Sequence, residues 1–396
     1  MLYPPNLIGG SNYIGGSERS VQFLAETLPK YGHQAVVASL GRDRGTLTNI
    51  VNGVKVYYIG IKNLYTPFQD EGRRKVLKPL WHALDTYNPW MMREVMRVLD
   101  AERPDIVHTN VLAGFSALVW RVTKQQGVPL VHTLRDYYLL CPRSTMFRNG
   151  QNCEYQCLVC RMYASPRRLF SNQIDVVVGT SRFILERHLQ FGYFTTVPRT
   201  VIFNSYYAGQ STVPLDSPSL PIRFGYLGRL SREKGVEVLL EAAKQLQTKP
   251  YWTLNLGGRG SAKYMRRLRA KYRTPATTFL GHVKPADFFS ENDVLLVPSL
   301  WHEPFGRTVI EAYAHAQSVI GSNRGGIPEL IEGGRTGFIF NPDSPSELAA
   351  RMQLYIDQPT RISEMRTYCL EKSKSFLPEN IIEQYLEVYA EVSGKR

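Results

Sequence analysis

Two glutamates, Glu303 and Glu311, stand eight positions apart in the stretch SLWHEPFGRTVIEAYAHA, residues 299–316. Paired carboxylates cleave a glycosidic bond when they lie roughly 5–9.5 Å apart. From Pro304 onward the stretch reads as a helix with proline at its first position, where the missing N–H costs nothing. On one helix the two carboxylates would stand about 12 Å apart along the axis, at roughly 1.5 Å per residue. That spacing is too long to flank one bond and suits the two ends of an extended ligand. The N–H groups of Phe305, Gly306, Arg307 and Thr308 would then face something anionic.

A second group fits the same ligand. YLGRLSREKG, residues 226–235, reads as a strand, a glycine turn and a helix start, with Arg229 and Lys234 projecting from the turn. Two cations beside a helix N-terminus suit a diphosphate. Either motif alone would pass for surface charge; together, at strand ends of one domain, they read as a site.

The elements that must position these residues are short apolar strands alternating with amphipathic helices. Strand-like runs are AVVAS (35–39), VYYI (56–59), DIVHTN (105–110), PLVHTL (129–134) and DVVVGTS (175–181). The series restarts with IRFGYLG (222–228), WTLNLGG (252–258), DVLLVPS (293–299), SVIGSN (318–323) and GFIF (337–340). Between them, segments such as 16–32 and 235–247 repeat apolar residues at three and four, as a helix with one buried face requires. Continuous apolar strands with interleaved helices imply parallel sheets covered on both faces. The Ser-, Pro- and Gly-rich stretch 206–221 separates the two series. The expected domains are therefore 1–207 and 208–375, with a ligand in the cleft between them at the strand carboxyl ends.

The bulk properties agree. A chain of 396 residues, 43% hydrophobic and 21% charged, is globular and long enough for two domains. No apolar run approaches the roughly 20 residues that span a bilayer. MLYPPNLIGG has no basic segment before an apolar core, so a cytoplasmic protein is expected. The net charge of +14 favours an anionic partner and is uneven: residues 1–210 carry 24 Lys and Arg against 14 Asp and Glu, a balance of 24 − 14 = +10.

The second half resembles the nucleotide-sugar domain of the retaining glycosyltransferases of family 4, which have the two-domain GT-B fold. The motifs that carry the resemblance are GRLSREKG, LGGRG, FLGHV, DVLLVPSLWHEPFGRTVIEA and GGIPELIEGGRTGFIF, spanning residues 222–341. IGGSERSVQFLAETLPKYGH resembles the family's glycine loop and first helix, and PENIIEQYLEVYAEV, residues 378–392, its last helix. The resemblance implies an α/β architecture of two Rossmann-like domains facing each other across a cleft, with the C-terminal helix (376–396) crossing back to the first. It also implies transfer of a sugar from a nucleotide-diphosphate sugar to a glycan or lipid-linked acceptor, with retention and without a catalytic metal. Arg229 and Lys234 would neutralise the diphosphate, Glu303 would contact the transferred sugar, and Glu311 would hold the ribose. The backbone of Phe305, Gly306, Arg307 and Thr308 would meet sugar and phosphates. Gly15 and Gly16 would let the N-terminal loop approach.

Three departures from the family stand out. Only MLYPPNLI precedes the glycine loop where a full strand is usual. VHTLRDYYLLCP places Arg135 where many members carry histidine, leaving Asp136. Arg135 is expected to contact an anion in the cleft, and His132, on the opposite strand face, to sit in the core or behind the site. Ser205 replaces the glycine that usually follows Asn204.

Cys141, Cys153, Cys157 and Cys160 cluster within twenty residues. Four thiolates at these spacings could close a structural zinc site in a loop capping the acceptor side; reduced thiols or disulfides are the other readings. Cys369 stands alone and reads as core.

Competing functions fit less well. A phosphorylase would need a lysine for pyridoxal phosphate in a recognisable motif, and none is evident. A nucleotide-sugar epimerase shares the fold. A non-enzymatic nucleic-acid binder would interleave aromatic and basic residues on a sheet face, which is not seen. The segment EGRRKVLKPLWHAL, residues 71–84, joins four cations, Arg73 among them, to Leu77, Leu80, Trp81 and Leu84. With SPRRLF, residues 165–170, it is expected to rest on the anionic inner face of the plasma membrane or to pack on the first sheet.

Overall fold

The computed structural model describes residues 2–3, 16–41, 45–66, 74–206, 220–272 and 274–394. Gly15, Arg73 and most of the expected linker lie outside the described residues. The chain divides into two compact units, Met1–Met146 with Glu154–Ser205 and Pro378–Arg396, and Phe147–Cys153 with Tyr206–Leu377. The second unit thus includes a seven-residue piece of the first half, which the sequence reading did not anticipate.

In the first unit the strands are β1 (Leu2–Tyr3), β2 (Val36–Gly41), β3 (Thr46–Val51), β4 (Val54–Gly60), β5 (Val107–Thr109) and β6 (Leu130–Leu134). After the hairpin strands β7 (Phe147–Arg148) and β8 (Gln151–Asn152), the sheet ends with β9 (Val176–Gly179) and β10 (Arg199–Val201). The order is β10-β9-β6-β5-β1-β2-β4-β3, parallel except where β3 runs against β4. Runs such as VVVG in β9 are buried at every position, as strands covered on both faces must be. The helices are α1 (Gly16–Thr27), α2 (Arg74–Thr86), α3 (Pro89–Glu102), α4 (Leu118–Gln125), α5 (Leu158–Ser171) and α6 (Arg182–Gln190). β1 supplies only two residues between β2 and β5. At the amino ends of those flanking strands lies a cavity of about 740 Å³, lined by His33, Glu102 and Tyr389 among others.

The second unit holds β11 (Ile222–Leu227), α7 (Val236–Gln245), β12 (Trp252–Gly257), α8 (Ala262–Lys271), β13 (Thr277–Gly281), α9 (Pro285–Ser290) and β14 (Val294–Val297). It continues with α10 (Arg307–Ala314), β15 (Ser318–Ser322), β16 (Gly337–Phe340), α11 (Pro345–Asp357) and α12 (Thr360–Lys374). Its six strands are all parallel, in the order β13-β12-β11-β14-β15-β16. The order reverses between β11 and β14, which is where a doubly wound sheet binds its ligand. Phe224 is level with Val294 and Gly225 with Leu295, so the turns after β11 and β14 leave the sheet at one height.

The last helix, α13 (Pro378–Ser393), belongs to the first unit. Ile381, Ile382, Tyr385, Val388 and Val392 join the core built on β2, β4 and β6. Tyr389 Oη lies 2.7 Å from His108 Nδ1, and His108 Nε2 lies 2.7 Å from Thr133 Oγ1, so both ring nitrogens of this buried histidine are satisfied. Among the described residues no helix is long and apolar enough to cross a membrane.

Candidate functional site

The turn after β11 folds into a short 3₁₀ segment, Arg232–Lys234, closed by Gly235 at φ 72°. A Cβ at Gly235 would stand 1.7 Å from the Pro298 carbonyl oxygen. Only glycine permits both that conformation and that approach. The consequence is a close seam between this turn and the segment after β14: the Glu233 carbonyl accepts N–H bonds from Leu300 (2.9 Å) and Trp301 (3.1 Å).

Across the seam, Lys234 Nζ meets Glu303 Oε1 at 2.6 Å. The same oxygen accepts the Ser299 hydroxyl at 2.7 Å. Lys234 also lies over the Trp301 ring, 5.1 Å from its centroid. Glu303 is buried. Burial pushes its pKa up, but the Lys234 charge and the bonds from Lys234 and Ser299 outweigh it and hold the carboxyl below its ordinary value. Glu303 is therefore a fixed carboxylate. Behind it, Gly325 at φ 63° would place a Cβ 2.1 Å from the Glu303 carbonyl oxygen. Gly325 donates its N–H to His302 Nδ1 at 3.1 Å, and Gly326 donates to the Glu303 carbonyl at 2.8 Å.

Arg229 sits on the same turn, largely exposed, with Nη2 2.6 Å from Glu233 Oε1. Its carbonyl accepts the buried Tyr226 hydroxyl at 2.8 Å, which fixes the turn that carries it. Glu311 accepts Arg307 Nε at 2.8 Å, both side chains being mostly covered.

The helix carrying Glu311 begins later than expected. α10 starts at Arg307, and Gly306 precedes it at φ 105° with no side-chain cap. A left-handed residue cannot lie inside a right-handed helix, so Pro304 is not its first residue and Glu303 stands in the preceding loop. The axial spacing expected for two carboxylates on one helix therefore does not apply. Phe305 turns its ring into the core, where it meets Phe376 at 6.5 Å. Its side chain is thereby occupied, leaving the backbone of 305–308 as the part that can meet a ligand.

The residue that sequence reading missed is Asn152, on the hairpin from the first half of the chain. Its Nδ2 donates to the Leu300 carbonyl at 2.8 Å and its Oδ1 accepts the His302 N–H at 2.9 Å. This amide clamps the segment that presents Glu303. The expected capping loop is thus, in this part, a brace of the second unit. Glu233, Ser299 and Trp301 were visible inside the motifs; nothing local marked Asn152.

In the first unit the strand ends after β5 and β6 bring Asn110 and Arg135 together. Arg135 is buried, with Nε bonded to Asn110 Oδ1 at 2.7 Å and Nη1 to Asn204 Oδ1 at 2.6 Å. Asp136 accepts the Tyr138 N–H at 2.9 Å. Burial raises its pKa to about 6 against the hydrogen bonds from Tyr138 and Ser144. A carboxyl so placed can take or give a proton near neutral pH. His132 is core: Nδ1 lies 2.8 Å from Thr109 Oγ1, and its ring packs on Trp120 and Phe194. Gly16 opens α1.

The five cysteines are free thiols. Among the described residues no group of three or more His, Cys, Asp or Glu side chains is arranged to hold a metal ion. Cys141 is buried, and the Cys160 side chain hydrogen-bonds both Cys141 and Cys157.

Residues 213–376 match the family model for glycosyl transferases group 1, and residues 14–205 that for glycosyltransferase family 4. The chain is 33% identical to an uncharacterized 42.6 kDa protein in the cps region of Klebsiella pneumoniae, covering 80% of this chain and 83% of that one. It is 33% identical to a glycogen synthase of Mycobacterium tuberculosis, over 90% of this chain and 84% of that one. Among solved structures, sucrose-phosphate synthase from Thermosynechococcus elongatus aligns with a TM-score of 0.75 at 20% identity, covering 100% and 99% of the two chains. Anabaena HepE, solved with UDP, aligns at 0.73 with 19% identity, covering 98% and 99%. The same protein has also been solved with UDP-glucose.

Proposed function

This chain belongs to the family 4 (group 1) glycosyltransferases, of the GT-B fold, and we propose that it moves a hexose from a nucleoside-diphosphate sugar to a glycan or lipid-linked acceptor with retention of anomeric configuration. The observation that carries the reading is the Lys234–Glu303 pair at 2.6 Å. It lies where the strand order of the second sheet reverses, with Arg229 on the same turn.

The roles are those that the family resemblance implies. Arg229 and Lys234 neutralise the donor diphosphate, and as fixed cations they stabilise charge on the leaving group without a divalent metal. Glu303, ionised and braced by Ser299, hydrogen-bonds the transferred sugar. Glu311, one turn into α10, holds the ribose hydroxyls, while the backbone of Phe305, Gly306, Arg307 and Thr308 meets sugar and phosphate. Gly16, with Gly15 before it, lets the N-terminal loop approach the phosphate. The leaving phosphate takes the acceptor proton, so no enzymic nucleophile is needed. A uridine donor is favoured by the binding of UDP and UDP-glucose to HepE.

The resemblance to a protein of a cps region supports a place in cell-surface polysaccharide or glycolipid synthesis. Such an enzyme would work in the cytoplasm, at the inner face of the plasma membrane where the acceptor is lipid-linked. The test is a thermal-shift screen of UDP-, GDP- and ADP-sugars followed by mass spectrometry of products and assignment of their anomeric configuration. No shift with any nucleotide-sugar overturns the reading, and an inverted product overturns retention.

A further inference from the structure

Helices α2 and α5 of the first unit lie side by side. Tyr163 donates its hydroxyl to the Pro79 carbonyl at 2.9 Å, and the Tyr87 and Phe170 rings meet at 6.4 Å. Each helix buries one side. α2 turns Trp81, His82 and Asp85 inward, and α5 turns Ala164, Arg167 and Ser171 inward. The opposite sides are open and apolar. On α5, Leu158, Met162 and Leu169 are 74%, 65% and 73% exposed. They recur at four and seven, which places them on one helical face. On α2, Val76 and Leu80 are 85% and 59% exposed, again four apart.

The charge on this surface has one sign. Lys78, Arg161 and Arg168 are exposed beside the apolar stripes. α5 contains no acidic residue, and the single acid of α2, Asp85, is fully buried. Asp85 is used up inside: it bonds to the Tyr138 hydroxyl and accepts the Gly114 N–H, with Arg167 alongside bonded to the Tyr138 carbonyl at 2.6 Å. Nothing on the two helices offsets the outward cations.

Exposed leucine, valine and methionine flanked by cations, without carboxylates, match an anionic lipid interface: the apolar side chains enter the acyl boundary and the cations meet headgroup phosphates. We infer that the paired outer faces of α2 and α5 form the surface by which the protein docks on anionic membrane. Only the α2 part and the Arg-Arg-Leu end of α5 stood out in the sequence; Leu158 and Met162 extend the surface by two turns. The inference deepens the proposed lipid-linked acceptor and rests on that reading for its purpose, though vesicle binding is measured without transfer.

The experiment is co-sedimentation of the full chain with phosphatidylcholine vesicles, with and without about one-third phosphatidylglycerol, at low and high salt. Binding is expected with the anionic vesicles alone and should fall steeply with salt. The charge variant Lys78→Glu/Arg161→Glu/Arg168→Glu should weaken it on the order of a hundredfold, from the worth of three interfacial cations. Leu158→Ser/Met162→Ser, and separately Val76→Ser/Leu80→Ser, should each weaken it about tenfold through lost apolar burial. All these positions are exposed, so melting temperatures and the thermal shift with donor should stay as in wild type. No binding to anionic vesicles at low salt, or binding that the variants leave intact, overturns the inference. So does a self-association that Leu158→Ser/Met162→Ser abolishes in a protein that ignores vesicles, which would make the surface an interface between copies. A donor shift that persists while vesicle binding fails leaves the transferase reading standing.

Discussion

Lys234 and Glu303, 69 positions apart in the chain, form a 2.6 Å ion pair at the carboxyl ends of two adjacent parallel strands. The carboxylate is buried, and its charge is balanced by this lysine and by the Ser299 hydroxyl.

Lys234→Ala should therefore cost stability as well as donor binding, by about 2–3 kcal/mol, below the 3–5 kcal/mol range of a fully buried pair because the lysine is partly exposed. Urea unfolding of Lys234→Ala, Glu303→Gln and the double variant measures the coupling; strict additivity would contradict it. The pH sign follows from the depressed carboxyl. Its contribution is full above the ordinary value of 4.5 and is lost as the pH falls through the lower folded pKa.

Glu311→Ala should weaken donor binding, whereas Glu303→Ala should lower turnover with a smaller effect on affinity. Calorimetry with nucleoside diphosphate separates them, because the diphosphate lacks the sugar that Glu303 is proposed to contact. Equal affinity in wild type and Glu311→Ala would remove the ribose assignment.

Chelation should leave transfer unchanged. In the proposed mechanism Arg229 and Lys234 supply the charge that a divalent metal supplies elsewhere, and losing either should then cost about 3–4 kcal/mol of transition-state stabilisation. Activity is followed before and after EDTA. Loss of transfer that Mg²⁺ restores would contradict the two-cation account.

Asn152→Ala should lower kcat more than it raises KM for donor. It removes both bonds that hold the Leu300–His302 segment while touching neither Lys234 nor Glu303. A loss of about 1–2 kcal/mol is expected from two net hydrogen bonds. Unchanged kinetics would show that the seam at Glu233 suffices.

The Asp85 contribution to stability should rise as the pH is lowered from 7 towards 5, against the opposite trend of the buried His82, His108, His132 and His188, whose lowered pKa values make the unfolded chain bind more protons as the pH falls. Burial lifts the Asp85 carboxyl from its usual 3.8 to about 6, against the charge of Arg167 and the bonds from Tyr138 and Gly114. Between those two values the folded state holds more protons at this group than the unfolded chain, so its protonation favours folding. Asp136, also lifted to about 6, acts in the same direction. Melting curves at pH 7, 6 and 5 compare wild type with Asp85→Asn, whose stability should fall more steeply towards pH 5, by up to about 2 kcal/mol.

The alternation of strands and helices and the residues of the donor motifs were legible in the sequence because each is a short-range property. A buried strand must be apolar at successive positions, and a turn at φ 72° asks for glycine, as at Gly235. The start of α10 was misread by three residues because proline at a helix start is a common pattern, while the left-handed Gly306 that delays the helix is a conformation rather than a composition. Long-range contacts decided the rest. Asn152 reaches the Leu300–His302 segment across 148 and 150 residues of chain. Arg167 and Arg168 are neighbours of one residue type, yet the first is buried against Tyr138 and the second faces outward. The fate of each depends on which helix packs beside α5 and on the carboxylate that helix brings. Burial and pairing between distant segments are settled by packing, and a single residue carries no local mark of the neighbour it will meet.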